Sequence, residues 1–147
     1  MEYLMIVGVA FMIIVPMMYI FYSYTTSTRD EIALAKLDQI GSSIVNTAEE
    51  VFFLGPPSKS TIYYTMPDGV VHAGIRGSQR DVLVFYYGGN PAPPYVGSQQ
   101  VIIPSNVPLA FSSSDLSVLI SPGRKALVLE AGTDAIGNVI MLSARTS

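Results

Sequence analysis

Few residues in this chain have types and spacing that could perform chemistry. The sequence contains no cysteine, which excludes thiol catalysis, zinc–thiolate sites and internal disulfide bonds. Its one histidine, His72, lies in a segment that alternates like a β-strand, and we interpret it as an ordinary inward-facing or cross-strand residue. Carboxylates paired for general acid–base catalysis are not evident in the sequence. These residues predict a protein that is not an enzyme and uses no cofactor or metal.

The short polar segments do not change this prediction. The segment GIRGSQRD, residues 74–81, lacks the GK[ST] ending of a phosphate-binding loop and joins two predicted strands. Asp134 and Asn138 lie near Gly137, but a calcium-binding loop needs more carboxylates at closer spacing. The segment SSSD, residues 112–115, has the composition of a turn. The net charge is −3, and basic residues do not interleave with aromatic ones, so nucleic acid is not an expected partner.

The first structural element of the chain is an apolar run near its N-terminus. Tyr3 to Tyr22 contains no charged residue, although 13% of the whole chain is charged. Twenty helical residues span roughly 30 Å, the thickness of the hydrocarbon core of a bilayer. The run therefore predicts a transmembrane helix, with Tyr19, Tyr22 and Tyr24 placed where an aromatic belt would meet the membrane surface.

A second helical pattern follows the apolar run. Apolar residues recur three and four positions apart in the amphipathic segment 30–53, at Leu37, Ile40, Ile44, Ala48 and Val51. We interpret the segment TSTRDE as the polar middle of one long helix over residues 1–54, with the Thr/Ser cluster and Gly41 as weak points. Such a helix would be about 75 Å long. Pro16 predicts a kink or local loosening, and the segment Gly55-Pro56-Pro57 ends the helix.

The remainder, residues 58–147, has the pattern of β-structure. We predict a hairpin in which STIYYTM and VVHAGI pair across a turn at Pro67-Asp68-Gly69. Six further apolar segments follow at roughly ten-residue spacing. They are DVLVFYY, VIIP, PLAF, LSVLI, ALVLEAG and NVIMLSA. Seven or eight short strands after one long helix predict an α+β protein with a small, sandwich-like β-domain.

A loop rich in tyrosine and proline follows the strand DVLVFYY. The segment VFYYGGNPAPPYV contains Tyr86, Tyr87, Pro94 and Tyr95. One interpretation is a core strand followed by a rigid surface loop. The other is a contact surface, because aromatic side chains on a stiff loop lose little conformational entropy on binding.

The N-terminal residues resemble those of archaeal type IV pilin-like proteins. The features that carry the resemblance are Glu2-Tyr3-Leu4, the apolar helix that follows, its amphipathic continuation and the β-domain. In this family a short basic leader ends in Lys-Gly before the motif Gln-x-Ser-x-Glu, and a prepilin peptidase cleaves before the Gln on the cytoplasmic side. Met1-Glu2 would match the last two positions of that motif. Since no basic residue precedes the apolar run, we expect that a basic leader has been removed from the precursor.

The resemblance implies a structural subunit of a surface filament. Copies of the chain would pack through their apolar helices into a helical homo-polymer, with the β-domain outside the cell and the helix in the cytoplasmic membrane before assembly. The residues expected to act in assembly are Glu2, Tyr3, Leu4, Gly8, Phe11, Pro16 and Tyr19. In related pilins the acidic residue is thought to face the N-terminal amine of a neighbouring subunit, which would set the axial register. In the other interpretation, Glu2 is solvated among lipid headgroups.

A second function class fits the same sequence. The chain would then be a membrane-anchored, non-polymerising accessory protein, or resemble an archaellum stator-type protein whose β-domain binds the surface layer. The same helix would stay in the lipid in either case. Filaments sheared from cells would distinguish the two classes.

Overall fold

The computed structural model describes residues 2–77, 79, 81–111, 116–134 and 137–146. A long helix and seven strands within these residues confirm the predicted α+β class. In chain order the elements are α1 (Glu2–Leu54), β1 (Lys59–Met66), β2 (Val70–Arg76), β3 (Val82–Tyr87), β4 (Gln99–Pro104), β5 (Leu109–Phe111), α2 (Leu116–Ile120), β6 (Gly123–Asp134) and β7 (Gly137–Thr146). The chain divides into two compact units, Met1–Ala33 and Leu34–Ser147.

Helix α1 runs through the Thr/Ser cluster, as the sequence predicts. The hydroxyl groups of Thr25 and Thr28 donate hydrogen bonds of 2.9 Å to the carbonyl oxygens four residues earlier. These bonds satisfy the hydroxyl groups inside the helix, so the threonines do not cap a new one. The helix ends at Leu54, and Gly55 follows with φ of +72° while its N–H donates to the carbonyl of Val51 at 3.2 Å. A glycine in this conformation is a common helix terminator.

The strands form two sheets in the unit Leu34–Ser147. A four-stranded sheet has the order β1-β6-β7-β5, and a three-stranded sheet has the order β2-β3-β4. All pairs are antiparallel except β5 with β7, which is parallel. The two long neighbours β6 and β7 form the centre of the larger sheet, so the short strand β5 lies at its edge.

The predicted hairpin between the first two strands is wrong. Strand β1 pairs along its whole length with β6, from Lys59 opposite Glu130 to Met66 opposite Gly123, while β2 pairs with β3 in the other sheet. The turn itself is present, and Gly69 has φ of +93°. Turn residues determine where the chain reverses, but they do not determine which strands pair.

The predicted strand LSVLI is also wrong, because residues Leu116–Ile120 form the short helix α2. Leu119 is buried and α2 lies against β2 and β7. A short apolar run has no periodicity that separates a buried strand from a buried helix. The turn predicted at residues 112–115 lies outside the described residues.

The second part of α1 belongs to the core of the β-domain. The helix residues buried there are Leu37, Ile44, Val45, Ala48 and Val51. They share one cluster with Phe85 and Ile103 of the smaller sheet and with Leu127, Leu129, Ile140 and Leu142 of the larger. The sequence division into residues 1–54 and 58–147 thus separates helix from strands, whereas the packed unit begins at Leu34.

A polar contact links the end of the helix to the loop after β4. One carboxylate oxygen of Glu49 accepts hydrogen bonds from the backbone N–H of Asn106, at 3.2 Å, and from its side-chain amide, at 2.8 Å. Both partners are exposed to solvent, so we attribute to this contact a positioning role rather than a large share of the stability.

At Gly41 the helix backbone lies close against side chains of the smaller sheet. A Cβ atom at this position would meet Ile103 Cδ1, would lie 2.9 Å from Ile103 Cγ1 and would lie 3.3 Å from Phe85 Cε2. Ile103 is 5% exposed and Phe85 is fully buried, so neither side chain has room to move away. The glycine that the sequence marks as a weak point of the helix is therefore a contact point.

We expect Gly41→Ala to destabilise the β-domain. Helix propensity alone would stabilise it by up to about 1 kcal/mol, but overpacking against Ile103 costs about 1–3 kcal/mol. Chemical unfolding of the full chain in detergent, followed by tyrosine circular dichroism, measures the difference. Ser43→Ala, on the exposed face of the helix, is the control and should change the free energy of unfolding by less than about 0.5 kcal/mol. Equal stability of Gly41→Ala and the parent chain would contradict the close contact.

Candidate functional site

The first candidate site is the apolar segment of α1. Every side chain from Tyr3 to Thr25 is exposed. By length and composition α1 can cross a membrane, and none of its most apolar window is buried. Full burial of one large aliphatic side chain is worth about 1.5–3 kcal/mol. The segment therefore has a large amount of apolar surface without an intramolecular partner among the described residues.

The predicted assembly residues are distributed around this segment. Leu4, Gly8, Phe11 and Tyr19 fall within an arc of about 80° on the helix, at 3.6 residues per turn, whereas Tyr3 and Pro16 lie outside that arc. Their side chains are exposed, and a Cβ atom on Gly8 would have no neighbour within 4 Å. The helix continues through Pro16. Glu2 begins the helix, and its side chain lies outside the described part of the structure.

The end of the apolar segment is rich in aromatic side chains. Tyr19, Phe21, Tyr22 and Tyr24 are all exposed there, and Arg29 follows five residues after Tyr24. The composition changes along this part of the helix from apolar through aromatic to cationic. That order of residue types is typical of a helix that leaves the hydrocarbon region and enters the headgroup region of a bilayer.

The second candidate site is the loop between β3 and β4, which hydrogen bonds hold in one shape. The side-chain oxygen of Asn90 accepts a hydrogen bond of 3.0 Å from the backbone N–H of Ala92. The backbone N–H of Asn90 donates a hydrogen bond of 3.2 Å to the carbonyl of Val96. The hydroxyl group of Ser98 donates to the carbonyl of Gly88 at 2.7 Å. Tyr95 has φ of +57°, a left-handed conformation that non-glycine residues rarely adopt. These bonds close the loop on itself and turn Tyr95 back toward the sheet.

Tyr95 is part of an aromatic cluster on the sheet face opposite the core. It stacks on His72 with ring centroids 4.6 Å apart and an interplanar angle of 16°. Tyr86 lies 4.8 Å from Tyr95 and 5.7 Å from His72, which it faces across the β2–β3 pair. The guanidinium of Arg76 lies 5.4 Å from the centroid of the Tyr86 ring. We call His72, Arg76, Tyr86 and Tyr95 the aromatic cluster.

The four residues predicted as a possible contact surface differ in how far they are exposed to solvent. Tyr86 is only 2% exposed, and Tyr87 packs partly buried against the core, so for these two the interpretation as a packed strand is the one that fits. Tyr95 is half-buried in the aromatic cluster, whereas Pro94 and Val96 are exposed. The available surface of this loop is therefore its tip. His72, interpreted as ordinary, anchors that loop.

The aromatic cluster also changes the acid–base behaviour of the histidine. Partial burial lowers the pKa of His72, and the positive charge of Arg76 on the same strand lowers it further. Both effects act against the protonated imidazole. The Tyr86 hydroxyl is buried and has no hydrogen-bond partner among the described residues.

Other buried polar groups lie between the helix and the larger sheet. Burial raises the pKa of Tyr64, whose hydroxyl also has no partner among the described residues. Lys125, directly opposite Tyr64 in the β1–β6 pair, is 5% exposed on a face otherwise occupied by leucines. The predicted strand ALVLEAG begins at Ala126, directly after this lysine, so the sequence pattern did not predict that Lys125 is buried. Within the described residues, no three His, Cys, Asp or Glu side chains are grouped to hold a metal ion.

Comparison with known proteins finds no match to this chain among protein-family models, curated proteins or solved structures.

We expect the β-domain to lose stability as the pH falls below neutrality. Because the pKa of His72 is lower in the folded chain than its unfolded value of about 6.5, the unfolded chain binds the proton first, and acid favours unfolding. The stability that depends on a neutral His72 is fully present above about pH 7. It is lost as the pH falls through the pKa of His72 in the unfolded chain toward its lower pKa in the folded chain. Urea unfolding at about pH 7.5 and 5.5 measures it.

His72→Phe is the matched control for this measurement, because it keeps a ring on Tyr95 without a titrating group. Since His72 is the single histidine of the chain, the variant should have a flatter stability profile over this range. The same slope in both proteins would show that another group titrates.

Proposed function

We propose that this chain is a structural subunit of a surface filament of the archaeal type IV pilus kind, assembling through the apolar segment of α1 with the β-domain outside the cell. The observation that carries the proposal is the contrast between the two parts of one helix. Residues 37–51 bury one face of the helix in the core of the β-domain, whereas residues 3–25 expose apolar side chains on all sides of the helix. A segment apolar all round is suited to surroundings that are apolar all round.

Packed copies of the same segment meet this requirement. Helices in an apolar environment associate by close van der Waals packing, which small residues such as Gly8 and Ala10 permit. The four methionines of the segment, at positions 5, 12, 17 and 18, are flexible enough to adapt to several contacts. Among the described residues, Gly8 has no neighbour within 4 Å that requires a glycine, which leaves close approach of another helix as a reason for it.

The resemblance at Glu2-Tyr3-Leu4 points in the same direction. A carboxylate at the edge of an apolar helix is costly to desolvate without a partner, and a partner on a neighbouring copy would favour one axial register. Before assembly, the same segment would lie in the cytoplasmic membrane, with the precursor as a substrate of a prepilin peptidase.

Shearing of cells that express the chain tests the proposal. We expect filaments that contain the chain in the sheared fraction, visible by immunoblot and electron microscopy. Glu2→Ala should strongly reduce them, because loss of one partner of a buried ion pair costs about 3–5 kcal/mol per contact. A chain found solely in membranes, with no difference between Glu2→Ala and the parent, would favour the non-polymerising, membrane-anchored accessory protein instead.

Gly8→Leu and Val9→Leu form a matched pair for the same assay. Gly8→Leu inserts a large side chain where helices are proposed to approach closely, whereas Val9→Leu adds little volume to an already large residue. Neither should alter the fold of the β-domain, because both positions are exposed. Filaments are expected from Val9→Leu and not from Gly8→Leu. Normal filaments from Gly8→Leu would exclude close packing at this position.

The proposed location makes a separate prediction about topology. Val96 is exposed at the tip of the loop between β3 and β4, and the chain has no native cysteine. Val96→Cys should therefore react with a membrane-impermeant maleimide in intact cells. Val7→Cys, in the apolar segment, should react after detergent is added. Labelling of Val96→Cys that requires cell lysis would place the β-domain in the cytoplasm and contradict the proposal.

A further inference from the structure

The edge strands of the two sheets differ in how they are protected from pairing with other strands. Proteins protect sheet edges by shortness, proline, bulges or a covering helix. Strand β5 has three residues, β4 ends on Pro104, and β2 has a register shift between Val70 and His72 and lies against α2. Strand β1 has eight residues in unbroken register, with neither proline nor bulge. Among the described edge strands, β1 is the one without such a device.

The free side of β1 can be assigned residue by residue. The N–H of Ala131 donates to the carbonyl of Ser58 at 3.0 Å, which identifies this pair as hydrogen-bonded in the antiparallel register. Since hydrogen-bonded pairs alternate along such a ladder, Ser60, Ile62, Tyr64 and Met66 direct their backbone groups to β6. Thr61, Tyr63 and Thr65 therefore direct their N–H and C=O groups to the open edge. Their side chains lie on the exposed face of the sheet.

The helix is separated from β1 by a groove of about 260 Å³. Its lining residues are Lys36, Gln39, Ile40 and Ser43 of the helix and residues 62–65 of the strand. Within the described residues, no hydrogen bond joins the helix to the edge of β1. Lys59, at the start of the strand, forms an ion pair with Glu130 at 2.9 Å. Because its charge is partly neutralised, it does little to prevent another strand from pairing with this edge.

We propose that β1 pairs with β1 of a second copy of this chain, antiparallel and centred on Tyr63, to join two four-stranded sheets edge to edge. The segment Thr61-Ile62-Tyr63-Tyr64-Thr65 is self-complementary about its centre. In this register Tyr63 lies opposite Tyr63 of the second copy, and Thr61 lies opposite Thr65 at both ends. Aromatic pairs and threonine pairs are favourable cross-strand neighbours. Pro67, which has no N–H, ends the pairing edge.

This contact is isologous, so it joins chains in twos and does not itself propagate. It goes beyond the proposed filament contact because it uses residues of the unit Leu34–Ser147 and not the apolar segment. An edge contact of this size buries little area, so it depends on chains being held close together, as on a crowded membrane or between neighbouring filaments.

Single cysteines in this cysteine-free chain test the register. In the proposed pair the two residues 63 have Cα atoms about 5.5 Å apart, within the range of a disulfide bond. Tyr63→Cys should therefore give a cross-linked dimer when the full chain, in membranes, is oxidised. In Thr61→Cys the two cysteines are four residues out of register, about 13 Å apart, and should not cross-link. The double variant Thr61→Cys, Thr65→Cys should cross-link again.

Charge substitutions in the Tyr63→Cys background provide a second, matched test. Thr61→Glu with Thr65→Glu puts like charges opposite each other at two places and should remove most of the dimer. Thr61→Glu with Thr65→Lys puts opposite charges there and should retain it. All three positions are exposed, so the fold should not be affected.

Cross-linking of Thr61→Cys as efficient as that of Tyr63→Cys would indicate random collision and overturn the proposal. Absence of a Tyr63→Cys dimer, or its cross-linking to a different protein, would overturn it too. Shear assays on the cysteine-free parent report the filament separately, so failure of strand pairing and failure of the filament proposal are distinguishable.

Discussion

The burial of one helix face, from Leu37 to Val51, among residues of both sheets is the interaction on which the folded unit depends. The smaller sheet contributes Phe85 and Ile103 to this cluster, and the larger sheet contributes Leu127 and Ile140. Two small sheets of four and three strands have little core of their own, and the helix provides a third layer against which both can bury apolar residues. A Cβ atom at Gly41 would clash with Ile103, so the helix and the smaller sheet are matched in shape and not just in polarity.

The same helix has the opposite property in its first part. Most of its backbone is hydrogen-bonded within the helix; the exceptions are the N–H groups of the first turn and the carbonyl of Met12, because Pro16 has no N–H. Residues 3–25 can therefore enter an apolar environment with few unsatisfied polar groups. The side chains there are exposed, and lipid or other copies of the segment are the surroundings that would remove them from water. The filament proposal uses both surroundings in succession: lipid before assembly and neighbouring helices afterwards.

The surface of the β-domain shows a comparable contrast. The loop between β3 and β4 is closed by its own hydrogen bonds and by the stacking of Tyr95 on His72, so its tyrosines mostly hold the loop in place. Strand β1, in contrast, leaves the backbone groups of Thr61, Tyr63 and Thr65 without partners in the sheet. If both proposals hold, a helix that is apolar all round and an open strand edge give the chain two independent ways to contact copies of itself, one continuous and one in pairs.

Local patterns in the sequence were sufficient for the elements and for their class. The uncharged run from Tyr3 to Tyr22, the helical spacing from Leu37 to Val51 and the stop at Gly55 are properties of neighbouring residues, and the structure has α1 with these limits. The same holds for the strands that alternate or are rich in β-branched residues. Local patterns are insufficient where two structures share one pattern, as in LSVLI, and where a turn signal does not specify which strands pair, as at Gly69.

Residue patterns alone thus account for one long helix, apolar and then amphipathic, followed by β-structure, because periodicity and turn chemistry act over a few residues. Three features instead arise from tertiary packing: residues from Leu34 onward belong to the β-domain, Gly41 is a contact and not a weakness, and His72, Tyr86 and Tyr95 form one cluster. Each of these depends on which strands become neighbours and in which register. That choice is made by burial and shape complementarity between segments far apart in the chain, which no local pattern records.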